Sequence, residues 1–169
     1  MLRKIEEDVR LAAGLSRVVL AGDPGCDGYN AEAAVVLEHI LGIPADFHLL
    51  LGDLVPTGRE RFFEQFAAII NSSQAGDVYC LPGNHDILEY GQHCGRGNYF
   101  NKASNALLVM LENSRRYFTG ETLDFLSRAL ASEAAPNIFI AFHIPPPNPI
   151  IPNNVSQEEW EKLRQAMEP

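Results

Sequence analysis

Short apolar runs alternate with longer amphipathic stretches along this chain. Five of the apolar runs have the length and composition of buried strands: residues 17–21, 46–51, 77–81, 107–111 and 138–142. Between the first three runs, apolar residues recur at helical spacing in two stretches, residues 30–41 and 59–71. This β-α-β-α-β alternation predicts parallel strands joined by right-handed crossovers, and therefore a protein of the α/β class.

Four further segments complete the expected outline. Residues 2–13 carry apolar positions at helical spacing and predict a short amphipathic helix. Residues 90–104 are rich in glycine, asparagine and other polar side chains, and we expect a loop there. Another helix is expected to begin at Thr119 or Thr122, and a capping box that starts at Ser156 predicts a last helix.

Polar residues follow four of the apolar runs. Asp23 and Asp53 each come after a run that ends in glycine, and residues 83–86, with the sequence Gly-Asn-His-Asp, follow the third run. His143 follows the last run. Because the carboxyl ends of parallel strands meet at one edge of an open α/β sheet, we expect these side chains to lie together. Four such endings indicate a metal centre.

The residue types at these positions suit a centre with two metal ions. Asp53 has two carboxylate oxygens and can bridge two divalent cations, while Asp23 and Asn84 would complete opposite sides and His143 would add a nitrogen. Mixed oxygen and nitrogen ligands suit Mn, Fe or Zn better than an ion that prefers oxygen alone. Two such ions, about 3.5–4 Å apart, would clamp a phosphate oxygen and activate a water for in-line attack.

The two residues after Asn84 are expected to serve the chemistry. His85 cannot easily face the same ion as its neighbour, so it is better placed to protonate the leaving alkoxide or to stabilise charge on the phosphoryl oxygens. Asp86 is expected to orient the His85 ring, as carboxylates do for many imidazoles.

Each of these residues also has an ordinary structural explanation. Asp23 precedes a Pro-Gly pair and suits a turn. Asn84 suits a left-handed turn conformation, and His143 could be a buried histidine with satisfied hydrogen bonds. All of these explanations would have to hold at once on strands that share one edge, so a shared site is the favoured interpretation.

Composition narrows the class of protein. With 169 residues, 46% of them hydrophobic, the chain is long enough for one domain with its own core. The formal net charge of -9 argues against binding to a nucleic-acid phosphate backbone. The three cysteines form no CxxC pair, the N-terminus is charged, and no apolar stretch is long enough to cross a membrane. We therefore expect a cytoplasmic protein with no membrane association.

The four polar segments, taken in order, resemble the motifs of the calcineurin-like metallophosphoesterases. The motifs of that family run D-x-H, G-D-x-x, G-N-H-D/E, a lone His and G-H-x-H, and this chain matches the first four, the first only in part. The resemblance implies a metallophosphoesterase-like β-sandwich flanked by helices, a four-layer αββα arrangement. It also implies two divalent metal ions (Mn, Fe or Zn) and a phosphate-ester substrate, a phosphomonoester or phosphodiester hydrolysed by a hydroxide bound to both ions.

The first block departs from the family pattern. The metal-binding His of that block is Gly25 in this chain. Purple acid phosphatases of the same superfamily also have Gly there, but they add a Tyr three residues after the second Asp, where this chain has Pro56. Cys26, Asp27 and Tyr29 remain open as replacement ligands.

The closing block of the family is a second departure. G-H-x-H does not occur before Pro169, and His143 is the last histidine of the sequence. We therefore expect the single domain over residues 1–169 to lack the last strands of the family fold, with an oligomer or a partner covering the incomplete sheet. The alternative function is a truncated or catalytically silent relative that acts as a binding or scaffold module.

Overall fold

Two facing β-sheets, each with helices on its outer side, form the architecture. The computed structural model describes residues 1–25 and 27–168. Within these residues the strands are β1 (Val9–Arg10), β2 (Val18–Ala21), β3 (Phe47–Leu51), β4 (Asp77–Leu81), β5 (Tyr99–Lys102), β6 (Leu107–Met110) and β7 (Ile138–Ala141). The helices are α1 (Ala31–Leu41), α2 (Glu60–Ser72), α3 (Tyr90–His93), α4 (Gly120–Ser132) and α5 (Gln157–Met167).

The first sheet consists of β2, β3 and β4 in that order, and all three strands are parallel. The predicted alternation of strands and helices in this half of the chain is therefore confirmed. Strands β3 and β4 are apolar at nearly every position because both of their faces are buried, as is usual for parallel strands. Leu50 and Cys80 face α1 and α2, whereas Leu49 and Tyr79 face the second sheet.

The second sheet has the strand order β1-β5-β6-β7, in which only the β5–β6 pair is antiparallel. The loop predicted over residues 90–104 is wrong, since this segment contains α3 and β5. The polar residues Asn101 and Lys102 interrupt the apolar pattern of β5, so this strand lacks the apolar run that indicates the predicted strands. Asn101 is nevertheless fully buried.

The helix predicted over residues 2–13 is also wrong. This segment is extended and runs along the edges of both sheets. Leu2 bridges to Val78, Ile5 bridges to Gly95, and β1 pairs with β5. Pairing with a segment that is distant in sequence buries Ile5, and local apolar spacing cannot anticipate such pairing.

Three apolar cores separate the layers. The core between the first sheet and helices α1 and α2 contains Leu37, Phe66 and Val78. The core between the two sheets contains Phe47, Tyr79 and Met110. The core beneath α4 and α5 contains Val109, Leu126 and Leu163. The layers are therefore helix, sheet, sheet and helix, which confirms the αββα sandwich that the resemblance implied.

Side-chain caps fix where the longer helices begin. Thr119, rather than Thr122, caps α4 by accepting a hydrogen bond from the backbone N–H of Thr122. Ser156 accepts the bond from Glu159 N–H at 3.1 Å that the predicted capping box requires. The Glu159 carboxylate accepts instead from the backbone N–H of Phe118, at 2.9 Å, and so ties α5 to the segment before α4.

None of the described helices combines the length and the apolar character that crossing a bilayer requires; the longest, α2 and α4, have 13 residues each.

Candidate metal centre

The segments after β2, β3, β4 and β7 bring the four predicted ligands together. One ligand atom from each of Asp23, Asp53 and His143 lies within 4.8 Å of the others. The Oδ1 atom of Asn84 lies 3.2 Å from the Nε2 atom of His143. Because β7 belongs to the second sheet, the cluster lies between the two sheets, and the expectation that it occupies one edge of a single sheet is wrong.

The ring of His143 is held with one nitrogen directed at the cluster. Its Nδ1 atom lies 2.8 Å from the carbonyl oxygen of Leu51, and because a carbonyl can only accept, Nδ1 carries the hydrogen. In the neutral ring, Nε2 then carries a lone pair. Nε2 lies 3.4 Å from Asp53 Oδ1 and 3.2 Å from Asn84 Oδ1.

This convergence of electron-rich atoms fits a bound cation. A lone pair, a carboxylate and an amide oxygen repel one another unless positive charge lies between them. A histidine whose second nitrogen donates to a carbonyl is also the usual arrangement of a metal-binding imidazole. The mixed oxygen and nitrogen donor set suits Mn, Fe or Zn. The residues present therefore fit a divalent metal ion.

Asp53 is anchored in a strained backbone conformation. Its φ of 50° lies in the left-handed region, which costs a non-glycine residue about 1–3 kcal/mol. The Oδ1 atom accepts a hydrogen bond from His85 N–H at 2.9 Å. A Cβ atom at Gly83 would lie 2.1 Å from the backbone nitrogen of Asp53, so only glycine allows this approach of the two loops.

The carboxylate of Asp86 binds backbone rather than the His85 ring. It accepts hydrogen bonds from the N–H groups of Gly83 at 2.8 Å, Val55 at 3.1 Å and Leu54 at 3.2 Å. Burial raises the pKa of Asp86 to about 6, although these backbone bonds act in the opposite direction. Asp86 therefore does not make the expected contact with the His85 imidazole; it links the two loops that carry Asp53 and Asn84.

The orientation of His85 is set by Pro56. The Nδ1 atom of His85 lies 2.9 Å from the carbonyl oxygen of Pro56 and donates to it. The opposite nitrogen, Nε2, lies 3.8 Å from Asp53 Oδ2. The side chain is 39% exposed, so this nitrogen faces both the cluster and the solvent from which a substrate would arrive.

Asp23 forms the open side of the cluster. It is exposed and has a φ of 51°, and its backbone N–H donates to the Gly52 carbonyl at 3.1 Å. Partial desolvation raises the pKa of the Asp23 carboxyl, the protonated form of His143 would lower it, and the neighbouring Asp53 carboxylate adds to the rise.

The packing around Gly25 explains the departure in the first motif. A Cβ atom there would lie 2.0 Å from the Leu54 carbonyl oxygen, so this backbone has no room for a histidine. Of the replacement ligands left open, Tyr29 donates its hydroxyl to that same carbonyl at 2.6 Å. Asp27 is not among the three residues of the described cluster, and Cys26 lies outside the described residues.

One buried residue that supports the cluster was missed from the sequence. Asn113 accepts hydrogen bonds from the N–H groups of His143 at 3.1 Å and Ile144 at 3.0 Å. It also donates to the Ile144 carbonyl at 2.8 Å. The available signal was its position just after the apolar run at residues 107–111, where a polar residue follows a strand as it does at the predicted ligands.

The comparison with known protein families agrees with this geometry. The model of the calcineurin-like phosphoesterase family matches residues 16–168, which is nearly the whole chain. No curated protein matches the sequence. The family is one of metal-dependent phosphoesterases, and the described cluster lies at the strand ends where the matching motifs occur. The chain therefore belongs to the calcineurin-like phosphoesterase family.

Proposed function

We propose that this chain hydrolyses a phosphomonoester or a phosphodiester with the help of two divalent metal ions. The observation that supports the proposal best is the convergence of Asp23, Asp53 and His143, whose ligand atoms lie within 4.8 Å of one another, with Asn84 beside them. Asp53 would be shared between the ions, Asp23 would hold one, and Asn84 and His143 would hold the other. Mn, Fe or Zn suits this donor set.

The metals and the protein contribute different parts of the chemistry. Divalent ions bound here would draw charge from the phosphate oxygens and lower the pKa of the attacking water. Asp86 keeps the loops of Asp53 and Asn84 in register through its three backbone bonds. Leu51 and Asn113 hold the ring and the backbone of His143, so the ligands are in place before a substrate binds.

His85 is the proposed acid. As water attacks phosphorus, the bond between phosphorus and the ester oxygen breaks, and the leaving oxygen must take up a proton. The Pro56 carbonyl keeps the hydrogen on Nδ1, so Nε2 of the protonated ring is the atom that donates to the leaving group. The products are an alcohol and a phosphate, or a phosphomonoester when the substrate is a diester.

The Asp53→Asn variant tests the proposal. With Mn²⁺, hydrolysis of p-nitrophenyl phosphate and of bis(p-nitrophenyl) phosphate should fall at least about 100-fold, because the shared carboxylate is lost. Asp46→Asn is the matched control, since Asp46 lies just before β3, at the end of that strand away from the cluster, and binds the backbone of Ser16 and Arg17. Asp46→Asn should leave turnover unchanged. Equal turnover in Asp53→Asn and the wild type would contradict the proposal.

Gly25 favours a second candidate, a binding or scaffold module that has lost the chemistry. The tight contact at this residue leaves the Asp23 side one ligand short of the family pattern. A folded wild-type chain that hydrolyses neither ester in Mn²⁺, Fe²⁺ or Zn²⁺ would support this candidate over the enzyme.

A further inference from the structure

A cavity of about 240 Å³ lies beside the chain segment that carries Asn84 and His85. Its lining includes residues of three segments: Pro82 and Ile87, Tyr90 of α3, and Glu112, Arg115 and Tyr117 after β6. Pockets that hold drug-sized ligands usually have volumes of roughly 300–1,000 Å³, so this cavity suits a smaller group such as one substituted ring.

Two of the segments that line the cavity also carry residues of the metal site or of its support. Pro82 and Ile87 bracket residues 83–86, the segment that carries Asn84 and His85. Glu112 and Ser114 also line the cavity, and Asn113 between them in the sequence binds the backbone of His143. Both segments therefore lead from the cavity to the proposed metal site.

Both polar and apolar groups line the cavity. Ile87 and Tyr117 are 40% and 42% exposed, and with Pro82 they offer apolar surface to a ring. Glu112 contributes a carboxylate, but its Oε1 atom already accepts bonds from the N–H and the hydroxyl of Ser114. Among the described lining residues, Arg115 is the only cation.

Arg115 is available for an anionic ligand. Arg3, Arg10 and Arg164 each pair with a carboxylate. Within residues 1–25 and 27–168, by contrast, no carboxylate pairs with Arg115, although the chain carries a net charge of -9. A guanidinium binds a carboxylate or a phosphate through two parallel hydrogen bonds.

We propose that the cavity binds the organic group of the phosphate ester, and that Arg115 binds an anionic substituent, a carboxylate or a second phosphate, on that group. This inference rests on the proposed function, because it takes the scissile phosphate to lie at the metal cluster. Arg115 would thus determine specificity for substrates with a second negative charge, apart from the residues that hold the metals.

Two non-hydrolysable probes test the inference without requiring turnover. They are 4-carboxyphenylphosphonate and 4-carbamoylphenylphosphonate, which have nearly the same shape and differ in the charge at the far end of the ring. Their affinities for the Mn²⁺-loaded chain are measured by calorimetry for the wild type, Arg115→Gln and Arg128→Gln. Arg128 is the matched control, because it is an exposed arginine on α4 that does not line this cavity.

Arg115→Gln should weaken binding of the carboxylate probe about tenfold and change binding of the carbamoyl probe by less than about twofold. Arg128→Gln should change neither affinity. Equal weakening of both probes, no weakening of either, or no binding of either probe to the wild type would overturn the inference. The proposed function is tested separately by the turnover of the wild type and of Asp53→Asn. A failure of the inference can therefore be distinguished from a failure of the proposed function.

Discussion

The two sides of the proposed metal site differ in how firmly the protein holds its ligands. On one side, the Asp53 and His143 side chains are each only 7% exposed, and backbone groups or buried side chains fix both residues. On the other side, Asp23 is exposed, and a Cβ atom added at the preceding Gly22 would meet nothing within 4 Å. A site built in advance binds more tightly, so we expect two ion positions of unequal affinity.

A single packing feature links the two sides. Gly25 approaches the Asp53 segment closely enough for its N–H to donate to the Asp53 carbonyl at 3.0 Å. The same approach leaves no space for a side chain at residue 25, where the family motif has a metal-binding histidine. The contact that anchors Asp53 is therefore incompatible with the histidine ligand that the family motif has on the Asp23 side.

The largest effect is expected from a methyl group at the tight contact. Gly83→Ala places a Cβ atom against Asp53, so it should destabilise the fold by about 3 kcal/mol or more and abolish metal retention. Gly22→Ala is the matched control at the equivalent position before Asp23, and it should change stability by less than about 0.5 kcal/mol. Urea unfolding and metal analysis measure both variants; equal stability in the two would contradict the described packing.

A smaller effect is expected from removing one ligand on each side. His143→Ala should weaken the tighter Mn²⁺ position at least about 100-fold, because it takes away the only nitrogen donor proposed for that ion. Asp23→Ala should leave that position within about tenfold of the wild type and weaken the other. Mn²⁺ titration followed by electron paramagnetic resonance separates the two positions. If Asp23→Ala damaged the tighter position as severely as His143→Ala, the inequality would be ruled out.

The smallest effect is expected from the support behind His143. Asn113→Ala should weaken the tighter Mn²⁺ position about tenfold, the lower end of what loss of an outer partner costs. Asn105→Ala is a matched control, because Asn105 makes comparable backbone bonds to Leu15, at 2.7 and 2.8 Å, away from the cluster. Both variants should lose about 1–3 kcal/mol of stability, and only Asn113→Ala should lose metal affinity. Identical metal affinities for the two would reduce Asn113 to a purely structural role.

The sequence was informative where local pattern determines structure. Strands β3 and β4 could be predicted because they are buried on both faces and therefore apolar throughout. The proposed ligands could be identified because each follows an apolar run, although β2 and β7 are partly exposed in the structure. Strand β5 and the extended segment at residues 2–13 could not be predicted, since distant strands stabilise them and Asn101 and Lys102 hide the pattern.

Inside the site, the sequence indicated which residues meet but not how they are held. That His143 comes from the second sheet depends on how the two sheets face each other. Asp86 binds the backbone rather than His85 because the two loops approach each other closely at Gly83. This approach brings N–H groups of the Asp53 loop within reach of the Asp86 carboxylate. Asn113 carries no motif, and only its three bonds to the His143–Ile144 backbone identify it.

The most direct test of the proposed site is the metal content of the purified chain after reconstitution with Mn²⁺ and desalting, measured by plasma mass spectrometry. We predict that about one equivalent of Mn²⁺ is retained at the position formed by Asp53, Asn84 and His143, and that a second binds only while Mn²⁺ remains in solution. A chain that retains no metal, or that retains two equivalents equally tightly, would contradict the account.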